Sequence, residues 1–154
     1  MCIRDRYCVE AVNRFETCII NTAAEALAYV DEVGSPNIGV LLDTYHMNIE
    51  ENSIGDAIRL VGAERMKNFH TGENNRTPPG RGHLDWDEIF GALHDIGYTG
   101  PIVSEPFVLM GGEVGRDIHV FRNLVDNPTE AGIDAEAAFL LEFEKHMLEK
   151  HGIG

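Results

Sequence analysis

Positive charge is scarce in this sequence. Its 154 residues carry 12 Lys and Arg against 26 Asp and Glu, a formal net charge of -14. Recognition of a phosphate backbone needs clustered cations, so this balance argues against a nucleic-acid partner. It leaves a small neutral substrate or a divalent cation open. No apolar run approaches the ~18 residues that a membrane-crossing helix needs, so no membrane partner is predicted. Met1 to Arg6 carries charge with no apolar stretch behind it, and does not read as a signal peptide. Cysteine is sparse and odd in number, Cys2, Cys8 and Cys18, with no Cys-x-x-Cys. That usage reads as reduced thiols in a cytoplasmic protein. Neither Gly-x-Gly-x-x-Gly nor a phosphate loop follows the first apolar segment, which excludes the common nucleotide cradles.

What is present is a repeated plan. Hydrophobic content of 44% and charged content of 25% fit one globular domain with a real core. Short apolar runs each end on a polar group: Tyr7-Cys8-Val9 before Glu10, Ile38 to Leu42 before Asp43, Met66 to Phe69 before His70, and Pro101 to Ser104 before Glu105. The first strand is predicted to reach Val12. Amphipathic segments separate the runs. Asn21 or Thr22 caps a helix carrying Ala26, Leu27, Val30 and Val33 on one face, and Ser53 opens another with Ile54, Ala57, Ile58 and Val61. Asp85 caps a third with Ile89, Phe90 and Leu93 facing inward. Further helices are predicted near 114–124 and from about Asp134 to Lys150, with Pro128 and Gly132 as punctuation. A βα unit recurs roughly every 30 residues, which means a parallel sheet with right-handed crossovers.

An open doubly wound sheet or a β/α barrel fits that order. Polar residues at the C-terminal end of every strand favour the barrel. A closed barrel has eight strands and about 250 residues, whereas this sequence supplies half that number of strands. The predicted fold class is therefore α/β: the C-terminal half of a (β/α)8 TIM barrel, with about four βα units, parallel strands and outer helices. Residues 1–7 are set apart as a start that does not belong to the fold, and 8–154 form the half barrel.

Glu10, Asp43, His70 and Glu105 offer three carboxylates and one imidazole. Such hard donors suit Mn2+, Mg2+ or Co2+ better than a structural zinc site with its thiolates. An octahedral ion held by four protein ligands keeps two positions for a substrate with adjacent carbonyl and hydroxyl oxygens. It then polarises the carbonyl and stabilises the enediolate formed when the neighbouring carbon loses its proton. A carboxylate on each face, one taking and one returning the proton, inverts that carbon. Glu10 and Glu105, from the first and last strands, are candidates for this pair. Each residue also has a plainer reading. An acid at a strand end can be a helix cap, Asp43 can make an Asx turn, and His70 can be a hydrogen-bonded core histidine. Arg76, beside Glu73 in a Pro-Pro-Gly loop, suits substrate contact. Trp86 and Phe90 read as core, and the acidic run around Glu136, Glu142, Glu144 and Glu149 as a solvated helix face.

Longer stretches carry a resemblance. They are Glu10-Ala11-Val12-Asn13-Arg14-Phe15-Glu16, the run from Leu42 to Glu51, His70-Thr71-Gly72-Glu73-Asn74-Asn75-Arg76, Gly80-Arg81-Gly82, Trp86 to Phe90, Glu105-Pro106-Phe107, Gly111-Gly112 and Val114-Gly115-Arg116-Asp117. In these the sequence resembles the D-tagatose 3-epimerase and D-psicose (allulose) 3-epimerase group, ketose 3-epimerases within the xylose-isomerase-like barrels. The likeness covers nearly everything from Cys8 onward. It implies metal ligands at Glu10, Asp43, His70 and Glu105, with Glu10 and Glu105 doubling as catalytic acid/base groups. It implies that Glu16, His46 and Arg76 hold substrate oxygens. It also implies Mn2+ or Co2+ as cofactor, with Mg2+ sometimes serving, a free ketose as substrate, and assembly as a homodimer or homotetramer at full length. Three alternatives stay open: a hydroxypyruvate-type aldose–ketose isomerase, a sugar-phosphate epimerase, and a half barrel that binds metal without turnover. Arg76 and Arg81 are few cations for a phosphorylated substrate. Met1 to Arg6 does not match the family, and the first half of its barrel is absent from this sequence.

Overall fold

A computed structural model describes residues 6–154; residues 1–5, most of the segment set apart above, lie outside the described residues. Strands β1 (Tyr7–Glu10), β2 (Ile38–Asp43), β3 (Met66–Thr71) and β4 (Ile102–Ser104) form a parallel sheet in the order β1-β2-β3-β4. Helices α1 (Ala23–Val33), α2 (Thr44–Glu50), α3 (Ile54–Arg65), α4 (Trp86–Asp95), α5 (Gly112–Asp117) and α6 (Glu130–His151) fill the connections. The fold is thus the expected parallel α/β arrangement of four βα units.

Burial explains the arrangement. β2 is apolar from Ile38 to Leu42, and Val40 and Leu42 are fully buried, as expected of a central parallel strand. Phe69 of β3 meets Val30 of α1, Ile58 of α3, Ile89, Phe90 and Leu93 of α4, and Met147 of α6 in one core. α3 packs on α1 and α4, and α4 on α6, so the helices line the sheet in chain order. Thr22 closes a capping box on α1: its hydroxyl accepts from the Glu25 N–H at 3.2 Å, and the Glu25 carboxylate accepts from the Thr22 N–H at 3.0 Å.

The β2–β3 register slips once, between Val40, opposite Met66, and Leu41, opposite Asn68. Lys67 is the extra residue. Gly39 sits beneath it, where a Cβ would stand 2.7 Å from the Arg65 carbonyl, so glycine permits the approach. Above the slip, Asp43 lies directly opposite His70.

Several boundaries differ from expectation. β1 stops at Glu10 rather than Val12, because the Val12 N–H bonds to the Ile20 carbonyl at 3.1 Å inside the following loop. α2 begins at Thr44, where no helix was expected, since Asp43 caps it by accepting from the Tyr45 N–H at 2.8 Å. α5 ends at Asp117, short of 124: His119 adopts φ 63° and the Val120 N–H closes on the Gly115 carbonyl at 2.7 Å. α6 starts at Glu130 rather than 134, with Thr129 as its cap. Gly132 lies within the first turn, buried against Asn127, rather than breaking the chain.

Candidate active site

The four strand-end residues singled out from the sequence lie at the C-terminal end of the sheet. Glu10 ends β1, and Asp43 ends β2 at 1% exposure. His70 is the penultimate residue of β3. Glu105 follows β4, its N–H extending the ladder to the Thr71 carbonyl at 3.2 Å. Their ligand atoms gather in two overlapping trios. Asp43, His70 and Glu105 form one, Glu10, Asp43 and His46 the other, and within each trio the atoms lie within 4.8 Å of one another. Asp43 belongs to both. Its cap role and its site role coexist, because Oδ1 serves the Tyr45 N–H and Oδ2 is left over.

The imidazole of His70 is fixed on one side and bare on the other. Its Nε2 stands 3.1 Å from the Asn68 amide nitrogen. Its Nδ1 is buried without a hydrogen-bond partner, 3.4 Å from Glu105 Oε1. The same orphan condition holds for Nε of Arg76. Among the described residues these are the two buried side-chain polar atoms left unsatisfied, and both belong to this site. Buried polar groups are paired in the great majority of cases, so two orphans in one site indicate a surface built to receive something polar. Three carboxylates and a bare imidazole nitrogen fit a divalent cation with oxygen-rich coordination.

The groups expected to hold substrate surround this cluster. His46 projects from the first turn of α2, with Nε2 3.8 Å from Glu10 Oε1. Glu16, in the loop after β1, accepts from the Arg76 guanidinium at 2.8 Å. Arg76 is only 6% exposed and lies over the Tyr45 ring at 3.6 Å, with the Phe107 ring at 5.2 Å. Its backbone sits in the left-handed region, φ 69°. Its N–H donates to the Glu73 carbonyl at 3.0 Å, and its carbonyl accepts from Phe107 at 2.9 Å. Arg76 therefore pairs with Glu16, across the site, and not with its sequence neighbour Glu73.

Glu73 has another task. It is fully buried, and its carboxylate accepts from the Trp86 indole N–H at 2.6 Å, the Gly80 N–H at 2.8 Å and the Leu84 N–H at 3.3 Å. It ties the loop that carries Arg76 to the start of α4. Sequence reasoning missed this role, and missed Tyr45, Phe107 and Asn13. Asn13 reaches both Glu16 Oε1, at 3.0 Å, and His46 Nδ1, at 2.7 Å.

Electrostatics follow from crowding acids in a half-buried place. Burial, then the neighbouring Asp43 and Glu105 carboxylates, push the Glu10 carboxyl up to about 7. Burial pulls His46 down, with Asp43 opposing and Arg76 adding to the fall, which keeps the ring neutral. The site can thus hold a proton on Glu10 near neutrality while His46 stays uncharged.

Comparison with known proteins agrees with this geometry. The family model for the xylose isomerase-like TIM barrel matches residues 4–142. A D-psicose 3-epimerase from Ruminiclostridium cellulolyticum is 50% identical over 145 residues, which is 94% of this chain and 49% of that protein. The D-psicose 3-epimerase of Agrobacterium fabrum is 50% identical over 141 residues, 92% of this chain and 48% of that protein. A crystal structure of a D-psicose 3-epimerase in the presence of D-fructose superposes with a TM-score of 0.90 at 50% identity, covering 93% of this chain and 49% of the other. The chain spans about half the length of the curated relatives it matches. From strand order, site placement and these likenesses together, the chain belongs to the xylose isomerase-like TIM barrel family.

Proposed function

We propose that this protein is a carbohydrate epimerase that inverts C3 of a free ketose, as a metal-dependent ketose 3-epimerase. The observation that carries the reading is the pairing of a crowded carboxylate cluster with two orphaned buried groups, His70 Nδ1 and Arg76 Nε. Glu10, Asp43, His70 and Glu105 would hold the cation, Mn2+ by resemblance with Co2+ or Mg2+ as substitutes. When bound, it supplies Lewis-acid polarisation of the substrate carbonyl.

The chain's own residues do the rest. Glu10 and Glu105 come from opposite edges of the sheet and flank the site. One takes the proton from C3, leaving an enediolate across C2 and C3. The other returns a proton to the opposite face, and C3 is inverted with no net change in atoms or charge. Arg76 and Glu16, locked together at 2.8 Å, and His46 present donors and acceptors to the sugar oxygens. Tyr45 and Phe107 keep the Arg76 guanidinium flat and oriented. No helix among the described residues is long and apolar enough to cross a membrane, and Cys8 and Cys18 are free thiols. The cytoplasmic location and the homodimer or homotetramer are carried by composition and resemblance.

The test is incubation with Mn2+ and D-fructose in D2O, followed by NMR, against a chelated control. Chelator-sensitive deuterium at C3 with inversion is the expected result. Deuterium at C1 with aldose formation would move the protein to the aldose–ketose isomerases. Bound metal without exchange at either carbon would point to phosphorylated or other substrates and leave the fold standing without this function.

A further inference from the structure

Asn13 faces the His46 ring with both its backbone and its side-chain nitrogen. Asn13 is 1% exposed, and its side-chain oxygen accepts from the Phe15 N–H at 2.9 Å. That bond orients the amide, so its NH2 group faces the other way. There it meets Glu16 Oε1 at 3.0 Å, a carboxylate already paired with Arg76, and His46 Nδ1 at 2.7 Å. The Asn13 backbone N–H also points at Nδ1, at 3.2 Å. A ring nitrogen faced by two N–H donors must offer its lone pair, and a neutral imidazole then carries its proton on the other nitrogen. That nitrogen, Nε2, is the one turned toward Glu10.

We infer that Asn13 is a positioning residue that locks His46 as the Nε2–H tautomer, making it a hydrogen-bond donor into the pocket and removing it from the metal-ligand set. Distance alone does not give this result, because His46 lies as close to Glu10 and Asp43 as an ion would require. His70 differs in geometry: no N–H donor faces its Nδ1, and the Asn68 amide nitrogen stands 3.1 Å from its Nε2 instead. The network also joins the two halves of the pocket. Arg76 orders Glu16, Glu16 and the Phe15 N–H order the Asn13 amide, and Asn13 orders His46. The further step, that the Nε2–H donates to a ketose oxygen, rests on the epimerase reading; the tautomer does not.

The experiment uses the 15N-labelled chain and long-range 1H–15N spectra of its imidazoles above neutral pH, titrated with Mg2+, for the parent and for Asn13→Asp. The parent is expected to show His46 with a protonated Nε2 and a bare Nδ1, unchanged by Mg2+, while His70 Nδ1 shifts as the ion binds. In Asn13→Asp a carboxylate faces Nδ1 and draws the proton onto it. With D-fructose the variant's KM rises about tenfold, the size expected for losing one hydrogen bond from a buried partner, with kcat moving less. A parent His46 protonated on Nδ1, a His46 Nε2 that moves onto Mg2+, or an Asn13→Asp ring pattern identical to the parent would each overturn the proposal. The first two are read on the parent chain, so a poorly folding variant does not remove the test. A His70 that ignores Mg2+, or a parent without turnover, counts against the proposed function and leaves the His46 tautomer readable.

Discussion

At the scale of single residues, the proposed chemistry makes unequal demands on groups that look alike. Glu10→Gln and Glu105→Gln each remove a proton-transfer group while keeping shape, so turnover should fall at least about 100-fold, with the circular dichroism spectrum unchanged. A variant retaining parental kcat would remove its residue from the acid/base pair. The raised Glu10 pKa has a signed consequence. Between its ordinary value of 4.5 and about 7, the folded protein holds a proton that the unfolded chain has lost. Its contribution to stability is therefore complete below the lower value and lost as pH rises through about 7. Metal binding runs the other way, because a carboxylate must shed its proton to ligate. Mg2+ affinity measured by calorimetry should rise with pH up to about 7 and then level off, with protons released on binding on the acid side. The acids and the histidine were legible in the sequence because each ends an apolar run. Asn13 was not, because its partners, His46 and the Glu16–Arg76 pair, reach it only after the chain has returned through β2 and β3. An amide also gives no signal of its role until its donors and acceptors are placed.

Elements and their connections show where pattern reading succeeds and where it stops. The strands and the long helices follow from periodicity and from caps at Thr22, Ser53 and Asp85, each of which the structure shows accepting a backbone N–H. α2 was hidden because Asp43 belongs to two patterns at once, the last residue of a strand and the cap of a helix. The Pro-Pro-Gly loop that carries Arg76 takes its organisation from Glu73, which its sequence position did not reveal. Burying a carboxylate is costly unless N–H donors surround it, and here an indole and backbone amides do. Thr44 adds a clasp, its hydroxyl donating to the Gly72 carbonyl at 2.7 Å and accepting from the Gly72 N–H at 2.9 Å. Glu73→Ala strands those donors and should cost about 3 kcal/mol or more in denaturant unfolding. Trp86, the sole tryptophan, loses its partner in the same variant, so its fluorescence reports the loop directly. An unchanged emission maximum together with an unchanged midpoint would show that the loop is held by something else.

For the molecule as a whole, the site is a place where every strand meets. Each proposed ligand comes from a different βα unit, so an ion bound there ties the entire sheet together. At 100 times its dissociation constant such an ion stabilises by about 2.7 kcal/mol, worth roughly 5–10 °C in Tm for a chain of this size. A thermal scan with Mn2+ and then EDTA checks this; a Tm indifferent to both would argue against a metal held by all strands. The accessible surface is 8862 Å2, above the ~7,800 Å2 expected of a compact monomer of this mass, as suits an open sheet rather than a closed ring. The slip at Lys67 gives that sheet a further property. It separates Val40, opposite Met66, from an upper stretch in which Leu42 faces Phe69 in the core and Asp43 faces His70 at the site. The extra residue brings core side chain opposite core side chain and site side chain opposite site side chain above it, so one short length of ladder carries both packing and chemistry.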